Sequence, residues 1–307
     1  MSIVNEGFVE FLGKKYYLEM LRPGVLSLVE VREVIESFRT RAGQLVEVVD
    51  LEFLGRSLFM EKLLMIVFRE EHIYHEVLVH PVMLTHPNPR NILIIGGGDG
   101  GALREVLKHP SVERVDLVEL DPDIVDLVKR VFPELPAGSF DDRRLNLVFS
   151  EGRKFVENSR DESYDVAIMD LTDPKGPSVR LYTKEFYSEV SRILRDDGIM
   201  VTHSEGIYYT PDAVLRIFSA VKANFRIARL ARTYVPSFRD EWTFSIGSKL
   251  YDPLEADVEN EMKKRGIKTR FYSPEIHKAI FSLGKDFKEK LLSEINPSTD
   301  ENPAEVI

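Results

Sequence analysis

Apolar and polar positions change rhythm once along this chain, near residue 90. Before it, short runs rich in β-branched and aromatic residues alternate with turn signals. Residues 8–12 and 16–20 flank Gly13-Lys14-Lys15, and Arg22-Pro23-Gly24 is a second turn. Residues 25–35, 45–53 and 57–67 repeat the pattern. This predicts a small antiparallel β domain. A helix is expected from about Glu70 through His80, ending at or soon after Pro81. The segment 85–89, with two prolines, reads as a rigid linker.

From Asn91 onward, apolar strands alternate with helical stretches. Strands are expected at 91–95, 114–119, 145–149, 164–170, 198–203, 225–234 and 242–248. Five strands with crossovers followed by a hairpin predict an α/β fold, a Rossmann-like, methyltransferase-type seven-stranded sheet. Charged helices are expected over 252–265 and 273–292. The domains read as 1–85 (β domain with linker), 86–292 (Rossmann-like catalytic domain) and 293–307, a Pro- and acid-rich tail expected to be disordered. No internal repeat is visible.

Composition narrows the chemistry. The 307 residues contain no cysteine, which excludes disulfides, thiolate metal sites and cysteine nucleophiles. No signal peptide and no membrane-length apolar run are evident, so a cytoplasmic protein without a membrane partner is expected. The net charge of −10 argues against nucleic acid and is compatible with cationic substrates.

The strongest chemical signal is Gly96-Gly97-Gly98-Asp99-Gly100-Gly101, between an apolar strand and a helical stretch. Gly96, Gly98 and Gly101 satisfy the dinucleotide-loop spacing, with Glu119 eighteen residues further on. Asp99 alters that reading. A carboxylate in this loop repels a pyrophosphate and attracts a cation, so the loop suits a nucleoside with a positively charged tail.

Ligands of such sheets bind at the carboxyl ends of the strands. Asp99, Glu119, Glu151, Asp170 and Asp173 all fall at or just after those ends. Glu119 suits the two hydroxyls of a ribose. Glu151 either accepts from an adenine amino group or sits near a helix N-cap. Asp173, entering Pro174-Lys175-Gly176-Pro177, is also explained by an Asx-type turn. Asp170, delivered by the apolar strand Val166-Ala167-Ile168-Met169, is poorly explained by a turn and is the best candidate for a proton acceptor. Tyr74, His75 and Glu76 cannot all share one helix face, and the histidines scatter in phase, so no metal site is expected.

With these residues in place the chain resembles the polyamine aminopropyltransferases, the spermidine synthase family. The resemblance rests on 96–101 with Leu103-Arg104-Glu105, Val118-Glu119-Leu120-Asp121, 170–174, Tyr74-His75-Glu76 and 181–187, and it spans about residues 40–285. It implies transfer of an aminopropyl group from decarboxylated S-adenosylmethionine, a co-substrate, to a polyamine amine, with no separate cofactor and with release of methylthioadenosine. Asp99 would then bind the aminopropyl ammonium, Glu119 the ribose and Glu151 the adenine. Gln44 would touch the nucleoside, and Tyr74, His75 and Asp173 would orient the acceptor. Asp170 would take the proton, and 173–182 would gate the site. A homodimer or homotetramer is expected.

Departures from the common pattern lie on the acceptor side. Leu171 stands where many members have Ser, His203 at a frequent Gln, and Phe238 where a Tyr is expected. The Asp-Leu-x-Asp-Pro and Ser-Phe-x-Asp-x-Trp forms are more similar to thermospermine synthases. Spermidine is thereby favoured over putrescine or agmatine as acceptor. A methyltransferase on the same fold and a non-catalytic polyamine-binding protein are the alternatives.

Overall fold

The structure is a computed structural model that describes residues 2–5, by backbone alone, and 7–306. The chain divides into two compact units, residues up to 71 with 235–239, and residues 72–234 with 240–306.

In the first unit seven strands form one antiparallel meander in sequence order: β1 (Ser2–Asn5), β2 (Phe8–Phe11), β3 (Lys14–Arg22), β4 (Val25–Arg39), β5 (Leu45–Leu51), β6 (Gly55–Met60) and β7 (Leu63–Val67). Its core gathers Phe8, Tyr17, Val49, Leu51, Phe59, Leu64 and Val67. β4 outruns the expected 25–35 because it pairs with β3 along one half and β5 along the other. Gln44 is half-buried in the turn before β5, where its backbone N–H donates to the Thr40 hydroxyl at 3.2 Å. Residues 235–239, including Phe238, also belong here; the Ser237 N–H donates to Glu70 at 2.6 Å.

Helix α1 (Glu71–Thr85) leads into the second unit and runs four residues beyond Pro81, at or soon after which its end was expected. A proline removes one ladder bond from a helix, but tertiary contacts hold this one. The Arg265 guanidinium donates to the Met83 carbonyl at 2.6 Å and to the His86 carbonyl at 2.9 Å, satisfying the helix end. The second sheet contains β8 (Asn91–Gly96), β9 (Arg114–Glu119), β10 (Leu145–Phe149), β11 (Tyr164–Asp170), β12 (Leu194–Gly206), β13 (Ile227–Val235) and β14 (Asp240–Ser248), in the order β10-β9-β8-β11-β12-β14-β13. The first five run parallel, and β14 is antiparallel to β12. This is the expected fold class. The helices α2 (Gly101–Leu107), α3 (Pro122–Val131), α4 (Gly152–Asn158), α5 (Lys184–Ile193) and α6 (Pro211–Lys222) follow β8 to β12 in turn, as crossovers between parallel strands require.

Two expectations about the C-terminal region are corrected. The span 273–292 is two helices, α8 (Pro274–Ile280) and α9 (Lys285–Leu292), after α7 (Val258–Arg265). The break lets Leu283, Phe287 and Leu291 pack on Val214, Phe218 and Leu230. Residues 293–306, expected to be disordered, are packed onto the second unit. Ala304 is buried in the core beside Tyr182, Phe186 and Ile217, and Asp300 is paired with Arg153. Asp300, one of the acids that suggested disorder, finds its partner only through the fold.

Candidate active site

β8 delivers Gly96 beside Asp170, the last residue of β11, with which it is paired in register. Gly96 has φ of 78°, and a Cβ there would lie 2.1 Å from the Asp170 carbonyl oxygen. Only glycine fits this junction. The Gly97 N–H donates to the same carbonyl at 2.8 Å, so the loop is laced to the end of β11. Further on, a Cβ at Gly101 would meet the His75 ring at 2.3–2.5 Å. Glycine at 101 is the space that the imidazole occupies. Gly101→Ala is therefore expected to displace His75 and cost roughly 1–3 kcal/mol of stability. Thermal unfolding and turnover should both report it.

Asp99 folds back over the loop. Its Oδ1 accepts from the Gly101 N–H at 2.6 Å and lies 3.4 Å from Nε2 of His75. The same nitrogen is 3.8 Å from Oδ2 of Asp170. The Tyr74 hydroxyl donates to Oδ1 of Asp170 at 3.0 Å. One ligand atom each from His75, Asp99 and Asp170 thus falls within 4.8 Å of the others. Oδ2 of Asp170 is buried and accepts no hydrogen bond. Burial foremost, then the negative charge of Asp99, push Asp170 up to about 7, against the opposing influence of His75 and Tyr74. A free lone pair facing two other polar groups can bind a cation and also accept a proton.

Residue spacing along the chain concealed this group. Its members come from α1, the glycine loop and β11, and no motif spans them. His75 thus joins a mixed His/Asp grouping of metal-ligand dimensions that the scatter of histidines along the chain did not lead one to expect, whereas His80 is buried between Glu105 at 2.9 Å and His109 at 3.1 Å. Glu76 turns away from Tyr74 and His75. Its carboxylate accepts from the backbone N–H groups of Arg270, Phe271 and Tyr272, each at 2.8 Å, and so anchors α1 in register.

Glu119 ends β9 and accepts from the N–H of Gly98 at 3.0 Å and of Asp121 at 2.9 Å. Burial raises it to about 7 despite those donors. Glu151 is exposed at the N-cap of α4, and its side chain makes no capping bond. Neighbouring Ser150 bonds through its N–H to the Glu119 carbonyl at 3.0 Å, which sets the two strand ends side by side. Asp173 is in a turn, its carbonyl accepting from the Lys175 N–H at 2.7 Å and the Ser178 hydroxyl at 2.5 Å.

Several residues here were not singled out as binding groups from sequence. β12 runs to Gly206, beyond the expected end at His203, so Glu205 is a further strand-end acid. It is buried with φ of 75°, and its Oε1 has no hydrogen-bond partner. Burial and the charge of Asp173 raise it well above the usual carboxylate range. Beside it, the Tyr182 hydroxyl donates to the Thr172 carbonyl at 2.7 Å and lies 2.5 Å from Nε2 of His203. Burial pulls His203 down to about 4, which keeps it neutral. His203 stacks on Trp242 at 5.9 Å and tilts against Tyr74 at 6.3 Å. A longer strand would have exposed Glu205 to the same reasoning that found Asp170.

A methyltransferase-like sheet with carboxylates gathered at its strand ends defines a Rossmann-like group-transfer enzyme. A family model described as the spermine/spermidine synthase domain matches residues 71–256. A polyamine aminopropyltransferase of Korarchaeum cryptofilum (strain OPF8) is 54% identical, over all of this chain and 96% of its own. Among solved structures, a spermidine synthase in complex with the transition state analogue AdoDATO superposes with a TM-score of 0.85 at 31% identity, covering 90% of this chain and 94% of that one. The spermidine synthase of Thermotoga maritima gives 0.82 at 30%, covering 90% and 93%. The chain belongs to the spermine/spermidine synthase family and is an aminopropyltransferase.

Proposed function

We propose that this enzyme transfers an aminopropyl group from decarboxylated S-adenosylmethionine to an amine of a polyamine, releasing methylthioadenosine. The observation that carries the reading is the grouping of His75, Asp99 and Asp170 around an unpartnered Oδ2. In this reading Asp99 holds the donor's ammonium. Glu119 takes the ribose hydroxyls, Glu151 the adenine and Gln44 the nucleoside, while Gly96, Gly98 and Gly101 let the backbone approach. Tyr74, His75 and Asp173 orient the acceptor. The amine nitrogen attacks the carbon beside the sulfonium, the carbon–sulfur bond breaks, and its electron pair goes to sulfur. The amine's proton passes to Oδ2 of Asp170. No metal or cofactor is required, because the sulfonium is already a good leaving group.

The acceptor follows from a second acidic pair. Asp173 and Glu205 form a second ammonium subsite in this reading, walled by Tyr74, His203 and Trp242, whose faces favour a cation. Two separated subsites suit an acceptor with several amines. Leu171 and Phe238 favour spermidine over putrescine or agmatine, with a thermospermine- or spermine-type product. Glu205→Gln is expected to raise KM for spermidine roughly tenfold, equivalent to one charge-assisted hydrogen bond, while leaving KM for the donor within about twofold. Equal shifts in both constants would count against the assignment.

The test of the reading offers both sulfonium donors with putrescine, agmatine, spermidine and cadaverine, in the presence of a chelator. Methylthioadenosine is expected only with the decarboxylated donor, and fastest with spermidine. Loss of activity in chelator would overturn the ammonium reading of the His75–Asp99–Asp170 group in favour of a metal. A homodimer or homotetramer in the cytoplasm is the proposed setting. The exposed Met20, Leu26 and Leu28 of the first unit support self-association, and sedimentation would measure it.

A further inference from the structure

Residues 296–306 run across the second unit as a strap, and their attachments are specific. The Ser298 N–H donates to the Arg216 carbonyl at 3.1 Å, and the Ser298 carbonyl accepts from the Lys184 N–H at 2.8 Å. The Asp300 carboxylate takes both arms of Arg153, at 2.7 and 2.6 Å, and the Thr183 hydroxyl at 2.7 Å. One side chain thus ties α4 to the N-cap of α5. Ala304 is buried in the core, and its N–H donates to the Ser298 hydroxyl at 2.8 Å. At the end, the Val306 N–H donates to the Pro174 carbonyl at 2.9 Å, and Glu305 lies 3.4 Å from the Gly176 N–H. Val306 packs on the same apolar cluster as Leu171 and Leu181, which bracket the loop 172–180.

Most of that loop's own bonds are local, such as the Ser178 hydroxyl on the Asp173 carbonyl at 2.5 Å. Apart from the strap it is held from outside by the Tyr182 hydroxyl on the Thr172 carbonyl at 2.7 Å and by Arg153 on the Arg180 carbonyl at 3.2 Å. Residues 175–177 are exposed, Gly176 has φ of 58°, and the run contains two prolines that cannot donate. Loops of this kind open locally at low cost unless a partner restrains them. The strap supplies such a partner from a segment more than a hundred residues away in sequence.

We propose that the C-terminal strap positions the loop carrying Asp173, so that residues 296–306 determine how well the acceptor side of the site is formed. Asp300 and Val306 are positioning residues in this scheme. Asp300 sets the strap against α4 and α5, and Val306 sets the loop against the strap. The link to the acceptor rests on the reading of Asp173 given above. The restraint on the loop does not.

The loop carries two exposed trypsin sites, Lys175 and Arg180, which makes the restraint measurable. The variants are Val306→Pro, which deletes the single N–H and leaves Asp300 and Ala304 in place, and a chain ending at Ile295. Each is first checked for a native circular dichroism spectrum and a donor KM within about twofold of the full chain. Tryptic cleavage at Lys175 or Arg180 is expected to rise about tenfold in Val306→Pro, the loss of roughly one hydrogen bond from the closed state, and further in the shortened chain. KM for the acceptor is expected to rise by a similar factor with kcat little changed. Asp300→Asn, which keeps one accepting oxygen, should fall between the full chain and Asp300→Ala. Unchanged cleavage in folded Val306→Pro and in the folded shortened chain overturns the strap. Faster cleavage with an unchanged acceptor KM overturns the acceptor half of the proposal and, with it, the placing of the acceptor at Asp173.

Discussion

Asp170→Asn should lower kcat by roughly two to four orders of magnitude, the range for removing a general base, while leaving the donor Kd nearly unchanged. The acceptor amine, with an ordinary pKa of about 10, arrives protonated at neutral pH. An acidic site binds that ammonium and, in doing so, makes it less nucleophilic. An ammonium has no lone pair, so the reaction advances only if one proton leaves the nitrogen first and frees the electron pair that forms the bond to carbon. Oδ2 of Asp170 is the buried oxygen with no competing hydrogen bond, and Tyr74 fixes the carboxylate through Oδ1. Asparagine keeps the shape and the Tyr74 contact but cannot take the proton. Single-turnover kinetics with bound donor would separate the chemical step from binding, and an unchanged rate would remove Asp170 as the base.

The same residue carries a stability signature. Its pKa is raised to about 7 in the folded chain, above the unfolded carboxylate value. A raised carboxyl binds its proton more tightly when folded. Its contribution is therefore fully present below the unfolded value and is lost as pH rises toward 7. Above that, ionised Asp170 costs the ligand-free fold up to about 4 kcal/mol. Asp170→Asn should accordingly raise the melting temperature at pH 8 and leave it nearly unchanged at pH 4. A group placed for stability would show the reverse.

Asp99→Asn should collapse the enzyme's preference for the decarboxylated donor by up to about a thousandfold. The ordinary donor carries a carboxylate that the decarboxylated one lacks. Two like charges 4 Å apart at an effective dielectric of 20 cost roughly 4 kcal/mol, and in the proposed function this repulsion is what excludes the ordinary donor. The variant should also move the acid limb of kcat/KM to lower pH. Asp99 is the largest cause after burial that raises Asp170, so removing its charge lets Asp170 ionise earlier. Competition between the two donors and the pH profile measure the two effects separately. A fixed preference with a shifted limb would mean that Asp99 acts on Asp170 and not on the donor.

How much of this was legible without coordinates depends on the range of the interaction. Strand periodicity, the glycine loop with Asp99 inside it, and the acids at 119 and 170 are local patterns, each complete within a few residues, and each appears in the structure at the expected strand end. The exact end of the helix beyond Pro81 was not legible, because Arg265 satisfies it from 182 residues away. The split of 273–292 depends on which apolar residues find a partner across α6 and β13. Glu205 was hidden by a strand three residues longer than its periodicity suggested.

By itself the sequence determined the kind of chain this is: an antiparallel β unit followed by a largely parallel α/β sheet with carboxylates at its strand ends. Those features follow from side-chain periodicity and from glycine, both properties of neighbouring residues. Tertiary structure alone decided which acids share a space. It brought His75, Asp99 and Asp170 together, sent Glu76 into a loop of backbone amides, and gave the acidic tail partners in Arg153 and in the backbone at Pro174. The reason is that a carboxylate's energy depends on what surrounds it in the fold. Burial and a second charge set that energy, and neither can be read along the chain.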